Sequence, residues 1–324
     1  MFAFKSVKES IVKHISRELD WLGMLLLALT MGGVVMSLIH SQASGWLNVL
    51  TFIYLIVGII SGIILFKVER SKINPLIDFR DFSNLMFYAG AVLCFLAGVL
   101  SAVALFFDPL YLQVIRGQSP EFSGFVLFAI PIAVFAVAFI VGWLIHQLGI
   151  VNTIISGLAL AILACFLQIF FTSATPLWYI IITFICLGSM WAMGNTVPLI
   201  AAQTAVGSSR SSVATGTMVT MFNIGGSIGL AIAVVVYHFT GIRNLKEVFQ
   251  MHAQQISSAQ FSQLEKLISN PAQSLQLPMD TFIHSVFSDA FMSGFSGVMW
   301  FLFGISILMF LSVLMFKILK KQAI

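Results

Sequence analysis

The chain has 324 residues, 59% of them hydrophobic and 9% charged, with a mean hydropathy of +1.03 and a net charge of +4. Soluble domains carry about 25% charged residues, so a water-soluble globule is excluded. Charge this scarce, gathered into a few short segments, points to a chain that crosses a bilayer several times.

Residues 1–20 form a basic leader in which "FAFKSVKESIVKHI" mixes apolar and cationic positions, as an interfacial segment does. Beyond it, five blocks contain no Asp, Glu, Lys or Arg: 21–66, 82–107, 122–209, 211–242 and 290–316. A spanning helix needs about 20 apolar residues, so the blocks hold two, one, three, one and one helices. In the first block, "HSQASGW" separates a helix over 21–40 from one over 46–66. A charged connector over 67–83, containing Pro75, leads to a third helix over 84–110. The polar strings "HQLG" and "TSATP" divide the long block into helices over 122–145, 150–171 and 176–201, and the last two helices cover 211–239 and 288–316. Barrel strands are short and alternate apolar with polar residues. These runs are long and continuous, so the expected fold is all-α and polytopic, with eight transmembrane helices.

Between the last two helices lies an extramembrane segment, 240–287. Within it "NLKEVFQMHAQQISSAQFSQLEKLI" is expected to form a short amphipathic helix, which "SNPAQSLQLP" ends. Placing the N-terminus inside puts twelve of the sixteen Lys and Arg residues on inner segments. That bias predicts both termini in the cytoplasm and segment 240–287 outside. The basic residues therefore read as topology signals and lack the aromatic interleaving of a nucleic-acid surface. No cleavable signal peptide is apparent. Cys94, Cys165 and Cys186 fall within spans without metal-ligand spacing and read as small packing residues.

Ionisable groups inside a bilayer are costly and usually functional. Asp108, beside Pro109 at the end of an apolar run, is expected near the outer water boundary, where it shapes a helix end or gate, with direct proton or substrate coupling as the alternative. Glu121 and Asp289 are expected at helix starts, where a carboxylate favours the positive end of the dipole. Gln168, Asn195, Gln203 and Asn223 are amides within spans, suited to bridging helices or meeting a substrate. The glycines of "TGTMVTMFNIGGSIGLAIA" permit close helix approach. The string "SGFSG" at 293–297 resembles the serine motif of rhomboid intramembrane proteases, with Ser296 as nucleophile. That remote alternative needs a histidine on a later helix, and no histidine follows Ser296. No metal-binding or phosphate-binding motif is present, and no cofactor is expected.

Four stretches, "LDWLGMLLLAL", "VERSKINPLIDF", "PLYLQVIRGQSPEFSG" and "MFNIGGSIGLAIA", occur in the order and at the separations seen in one transporter group. Through them the chain resembles the C-terminal part of a major facilitator superfamily transporter of the fourteen-helix drug:proton antiporter family. The first two helices resemble that family's added central pair, and the remaining six its C-terminal bundle. Asp20, Trp21 and Gly23 match the start of the first added helix, and Pro75 matches the connector proline. Tyr111, Gln113, Gly117, Ser119, Pro120 and Gly124 match the outer turn, and Pro131 a proline in the following helix. Asp108 lies outside the recurring pattern. In "GWLIHQLG", Gly142, Leu144 and Gly149 keep the family's cytoplasmic turn, while His146 and Gln147 stand where the family has Asp and Arg.

The resemblance implies proton-linked efflux of hydrophobic or amphipathic drugs, with the proton as candidate coupling ion, in a bacterial inner membrane. Its implied partners are the lipid bilayer, a separately encoded N-terminal transporter half and a periplasmic adaptor, with no nucleic acid. Because transport in this superfamily uses two six-helix bundles, the alternative is a truncated, non-transporting membrane protein or assembly component. A homodimer is a further arrangement.

Overall fold

A computed structural model describes residues 20–44, 48–72, 78–207, 210–251, 257–276 and 281–322. Among these residues there is no β-strand, and eight helical runs are long and apolar enough to cross a membrane. Residues 1–19 of the leader and Pro75 lie outside the described residues.

Helices α1 (Trp21–Ser44) and α2 (Val49–Ser71) form an antiparallel hairpin. Their backbones meet at Gly33 and Gly58, where a Cβ on Gly33 would stand 2.6 Å from the Gly58 nitrogen. Small residues at a crossing let membrane helices gain van der Waals contact that water cannot supply for them. Asp20 caps α1 by accepting from the Gly23 amide at 2.7 Å, and Asn48 caps α2 by accepting from Leu50 at 2.9 Å. Through α1 the hairpin leans on the eighth helix of the fold.

The bundle proper is built around α3 (Leu85–Leu110), which packs on five other helices and buries Leu93, Leu96, Val99, Leu100 and Val103. Around it stand α4 (Pro120–Leu127), α5 (Ala129–Leu148), α6 (Ile150–Ile169), α7 (Leu177–Val206), α8 (Ser211–Met251) and α10 (Thr281–Gln322). A short α9 (Ser258–Ser269) lies between the last two. Contacts across the chain ends define two faces. The turn face gathers Asp20 with Lys72, Asp78 and Asp81 with Arg210, and Asn152 with Lys317. The loop face carries residues 111–120, 170–176 and the segment around α9.

Three boundaries differ from expectation. The fourth expected span is broken at Phe128 into α4 and α5, because Pro131 has no N–H to give the carbonyl one turn back. α3 does not stop at 110 but widens into a π-turn over Tyr111–Ile115, where the Arg116 amide donates to the Tyr111 carbonyl five residues back. The segment expected as a loop over 240–287 is largely helical: α8 and α10 run for 41 and 42 residues. At 1.5 Å per residue each is about 60 Å long, twice the hydrocarbon thickness of about 30 Å. The single amphipathic helix expected there is divided, its first part continuing α8. Its second part starts afresh at Ser257, which forms a reciprocal capping box with Gln260. α9 then buries Leu264, Leu267 and Ile268 against the projecting helices. Asp289 lies two turns inside α10, exposed, rather than at its start.

Candidate functional site

Two groups of polar side chains in the spans stand out, an exposed stripe and a buried pair. Helix α3 is drawn tightly onto α7 and α8, and glycine makes this possible. A Cβ on Gly98 would stand 2.0 Å from the Phe222 carbonyl oxygen, and one on Gly225 would stand 2.1 Å from that of Phe95. This close seam leaves one face of the three helices open as a shallow hollow of about 370 Å³, lined by Ser101, Leu105, Trp191, Phe222, Asn223 and Ser227 among others.

Below Trp191, residues one turn apart on a helix share a face. Asn195 is one turn on and Gln203 three turns on, and both are exposed. On α8 the corresponding stripe is Thr215, Asn223 and Ser227. Gln203 donates to Thr215 Oγ1 at 3.0 Å, joining the two stripes. Asn195 and Asn223 donate to the Trp191 and Val219 carbonyls of their own helices at 3.0 and 2.9 Å. By contrast α4 and α5 expose Phe125, Phe135, Phe139 and Trp143, an apolar surface suited to lipid. An exposed amide stripe is poor lipid-facing chemistry and good chemistry for the wall of a watered path.

The buried pair is Asp108 with Gln168. Asp108 is fully buried and Gln168 is 3% exposed. The Gln168 amide donates to both carboxyl oxygens, at 3.1 and 3.3 Å. This corrects the placement of Asp108 at a water boundary. The uncharged run ends at Phe107, but the helix continues through the π-turn and lies at the centre of the bundle, so the end of the run is not its surface. Aromatic rings close the neighbourhood: Phe107 lies 5.2 Å from Tyr237, and Tyr111 stacks on Phe295 at 5.3 Å.

Tyr111 is buried, and its hydroxyl donates to the Thr172 carbonyl at 2.6 Å. Arg116 donates to the carbonyls of Ser173 and Thr175. Together they staple the end of α3 to the α6–α7 connection. The recurring pattern that follows is a turn: Gly117 has φ 60°, and Ser119 caps α4 with Pro120 at its first position. Gln113 is half-buried there, and Pro131 is exposed on α5.

At the turn face, Gly149 ends α5 with φ 77°. Gly142, His146 and Gln147 are exposed and Leu144 is half-buried. The link across this turn is made by Lys317, which donates to Asn152 Oδ1 at 2.6 Å. Nearby, Arg210 binds Asp78 at 2.7 Å and Asp81 at 2.9 Å, tying the start of α3 to the start of α8. Burial raises the Asp81 carboxyl above its ordinary range despite Arg210. Burial acts in the same direction on Asp20, but the Lys72 ammonium at 2.5 Å and the Gly23 amide outweigh it and hold that carboxyl below its ordinary value.

Sequence reasoning did not single out Trp191, Thr215, Ser227, Arg116, Asn152 or Lys317. Helical spacing from Asn195 and Asn223 was a signal for the first three. The others act through contacts distant in sequence. Ser296 lies within the continuous helix α10, and the hydrogen bonds that His40 and His238 make go to Thr51 and Ser269.

The chain matches the family model "Major Facilitator Superfamily" over residues 21–230. It is 29% identical over 222 residues to the multidrug resistance protein Stp of Mycobacterium tuberculosis, covering 67% of this chain and 40% of that protein. It is 26% identical over 227 residues to the colistin resistance protein EmrB of Acinetobacter baumannii, covering 67% of this chain and 42% of that protein. The chain thus spans less than half the length of these relatives. Among solved structures it resembles a bacterial homologue of the human lysosomal transporter Spinster in an inward-facing, unoccupied conformation. That likeness has a TM-score of 0.51 at 15% identity, over 91% of this chain and 68% of that one, and bears on fold alone. A match to this transporter superfamily over residues 21–230 removes the protease reading of Ser296. With a family match over well more than half its residues, the chain belongs to the major facilitator superfamily.

Proposed function

We propose that this chain supplies the C-terminal bundle and added hairpin of a proton-linked efflux transporter for hydrophobic or amphipathic small molecules. The observation that carries the reading is the exposed amide stripe of Asn195, Gln203 and Asn223, joined across the two helices through half-buried Thr215, beside the hollow under Trp191. Such a wall is completed by a second six-helix bundle, with the path between the two bundles. Relatives named for multidrug and colistin resistance support the substrate class. The partner bundle is a separately encoded N-terminal half or a preceding part of the same polypeptide. In this reading both termini face the cytoplasm of a bacterial inner membrane, and the α8–α10 projection faces a periplasmic adaptor.

The test is reconstitution of the chain with a matching N-terminal half in vesicles carrying a proton gradient. Gradient-dependent efflux of lipophilic cations is expected only when both bundles are present. A stable two-bundle complex that moves no member of a broad amphiphile panel would favour the non-transporting alternative.

A further inference from the structure

The added hairpin does not lie flush against the bundle. Between α1, α3 and α8 runs a groove of about 550 Å³ whose walls include Ile39, Phe106 and Val234, with Ala231 at its floor. Along α8 it extends from Ser227 to His238. Those eleven residues rise about 17 Å, close to half the hydrocarbon thickness of about 30 Å. The groove therefore has the depth of one leaflet.

Its loop-face end is polar. His238 Nε2 lies 3.1 Å from Ser269 Oγ, and both side chains line the groove. His238 is also shared with a second groove of about 500 Å³, which continues outward between the α8 projection and α9. This one is lined by Arg243, Lys246, Glu247 and Glu265, two cations and two carboxylates. Arg243 Nε and Glu247 Oε1 are 3.0 Å apart, both largely exposed. Chemistry thus changes along one line from apolar, through neutral hydrogen-bonding groups, to a balanced set of charges.

We propose that this seam is a binding site for one zwitterionic phospholipid of the loop-face leaflet, its acyl chain between α1 and α8 and its headgroup at the mouth. The phosphate faces Arg243 and Lys246, the ammonium faces Glu247 and Glu265, and the ester region meets His238 and Ser269. An anionic headgroup satisfies the two cations but leaves the carboxylates facing like charge, so phosphatidylethanolamine is preferred over phosphatidylglycerol. A soluble amphiphile of the same shape is the competing occupant. The site joins the hairpin to the bundle and does not rest on the transport reading.

Native mass measurement of the purified full chain, with phosphatidylethanolamine and phosphatidylglycerol added at equal mole fraction, tests the assignment without any transport assay. One retained lipid per chain is expected, with phosphatidylethanolamine favoured about fivefold, the effect of a few partly exposed charge contacts. Glu265→Lys, which removes a partner of the ammonium and offers an anionic headgroup a third cation, is expected to abolish that preference. Ala231→Phe fills the floor and is expected to remove the retained lipid while the melting profile persists. Should that variant fail to fold, Ile39→Trp at the exposed lip closes the groove from the hairpin side, with the same expected loss. Equal retention of the two lipids, retention undiminished in the filled variant, or displacement of the lipid by an equimolar lipophilic quaternary ammonium would overturn the proposal.

Discussion

The Asp108–Gln168 pair offers the sharpest test of how the bundle is held together. Both side chains are buried, and the Gln168 amide is the hydrogen-bond donor to both carboxyl oxygens. Replacing one partner strands the other. Gln168→Leu leaves the carboxyl without that donor, and Asp108→Leu leaves the amide without its acceptor. A buried polar group left unsatisfied costs about 1–3 kcal/mol, more when it is charged, so each single change is expected to lower stability by roughly 3 kcal/mol. Replacing both with leucine removes the two polar groups together, and such paired replacement is nearly neutral when shape is kept. The double variant is therefore expected to be more stable than either single variant.

Thermal unfolding of the four proteins in one detergent, followed by loss of the monodisperse peak, measures this cycle. A coupling well above the roughly 0.5 kcal/mol scatter of independent sites is required. Additive losses would refute the pairing as an energetic unit. Asp108→Asn separates structure from coupling in the assembled transporter. Asparagine keeps an acceptor for Gln168, so a modest loss of transport is expected if the residue mainly pins α3 to α6. Abolished gradient dependence with an unchanged melting profile would instead make Asp108 a proton carrier.

Further outcomes follow from single contacts. Gly98→Leu drives a side chain into the Phe222 carbonyl, which a Cβ already approaches to 2.0 Å; α3 and α8 must part, and loss of monodisperse protein on size exclusion is expected. Asp20 is held below its ordinary value of 3.8, so its stabilisation is present above that value and is lost as pH falls through the folded value. Asp20→Asn is expected to flatten the acid limb of a pH-dependent melting series, and an unchanged limb would exclude the Lys72 contact as its source. With the three native cysteines replaced by alanine, Gln147→Cys and Gln263→Cys are expected to react with impermeant reagent from opposite sides, the first from the cytoplasm. Asn223→Leu, at the exposed stripe, is expected to leave melting unchanged and to weaken efflux in the two-bundle assembly, and undiminished efflux would remove Asn223 from the path.

What the sequence made legible was set by the length scale of its signals. Runs of apolar residues are read over about 20 positions, and the eight helices came from them with their centres in place. Their ends were harder to read because hydropathy records where lipid stops and says nothing of where backbone hydrogen bonding stops. Helix α8 continues past the uncharged run through Arg243, Lys246 and Glu247, side chains as compatible with a helix in water as with a loop. The same limit misplaced Asp108. A carboxyl next to proline at the end of an apolar run is as consistent with a helix mouth as with a bundle centre. Only Gln168, sixty residues on, and the π-turn over Tyr111–Ile115 distinguish them.

Spacing along one helix was legible, whereas pairing between helices was not. Asn195 and Asn223 were identifiable singly as amides inside spans. That they border one face follows from Trp191 and Asn223 lining the same hollow, with Asn195 one turn on from Trp191. The turn at 142–149 shows the converse. The resemblance directed attention to His146 and Gln147, where the charged latch of the family is absent, and both are exposed. A cross-link is nevertheless present one turn later, from Lys317 to Asn152. A single interhelical hydrogen bond in membrane proteins contributes about 0.6 kcal/mol on average. Asn152→Leu is thus expected to leave the bundle folded while loosening the contact between α6 and the end of α10. The fitting measurement is hydrogen exchange at residues 314–320, where unchanged protection would show that packing alone holds that end.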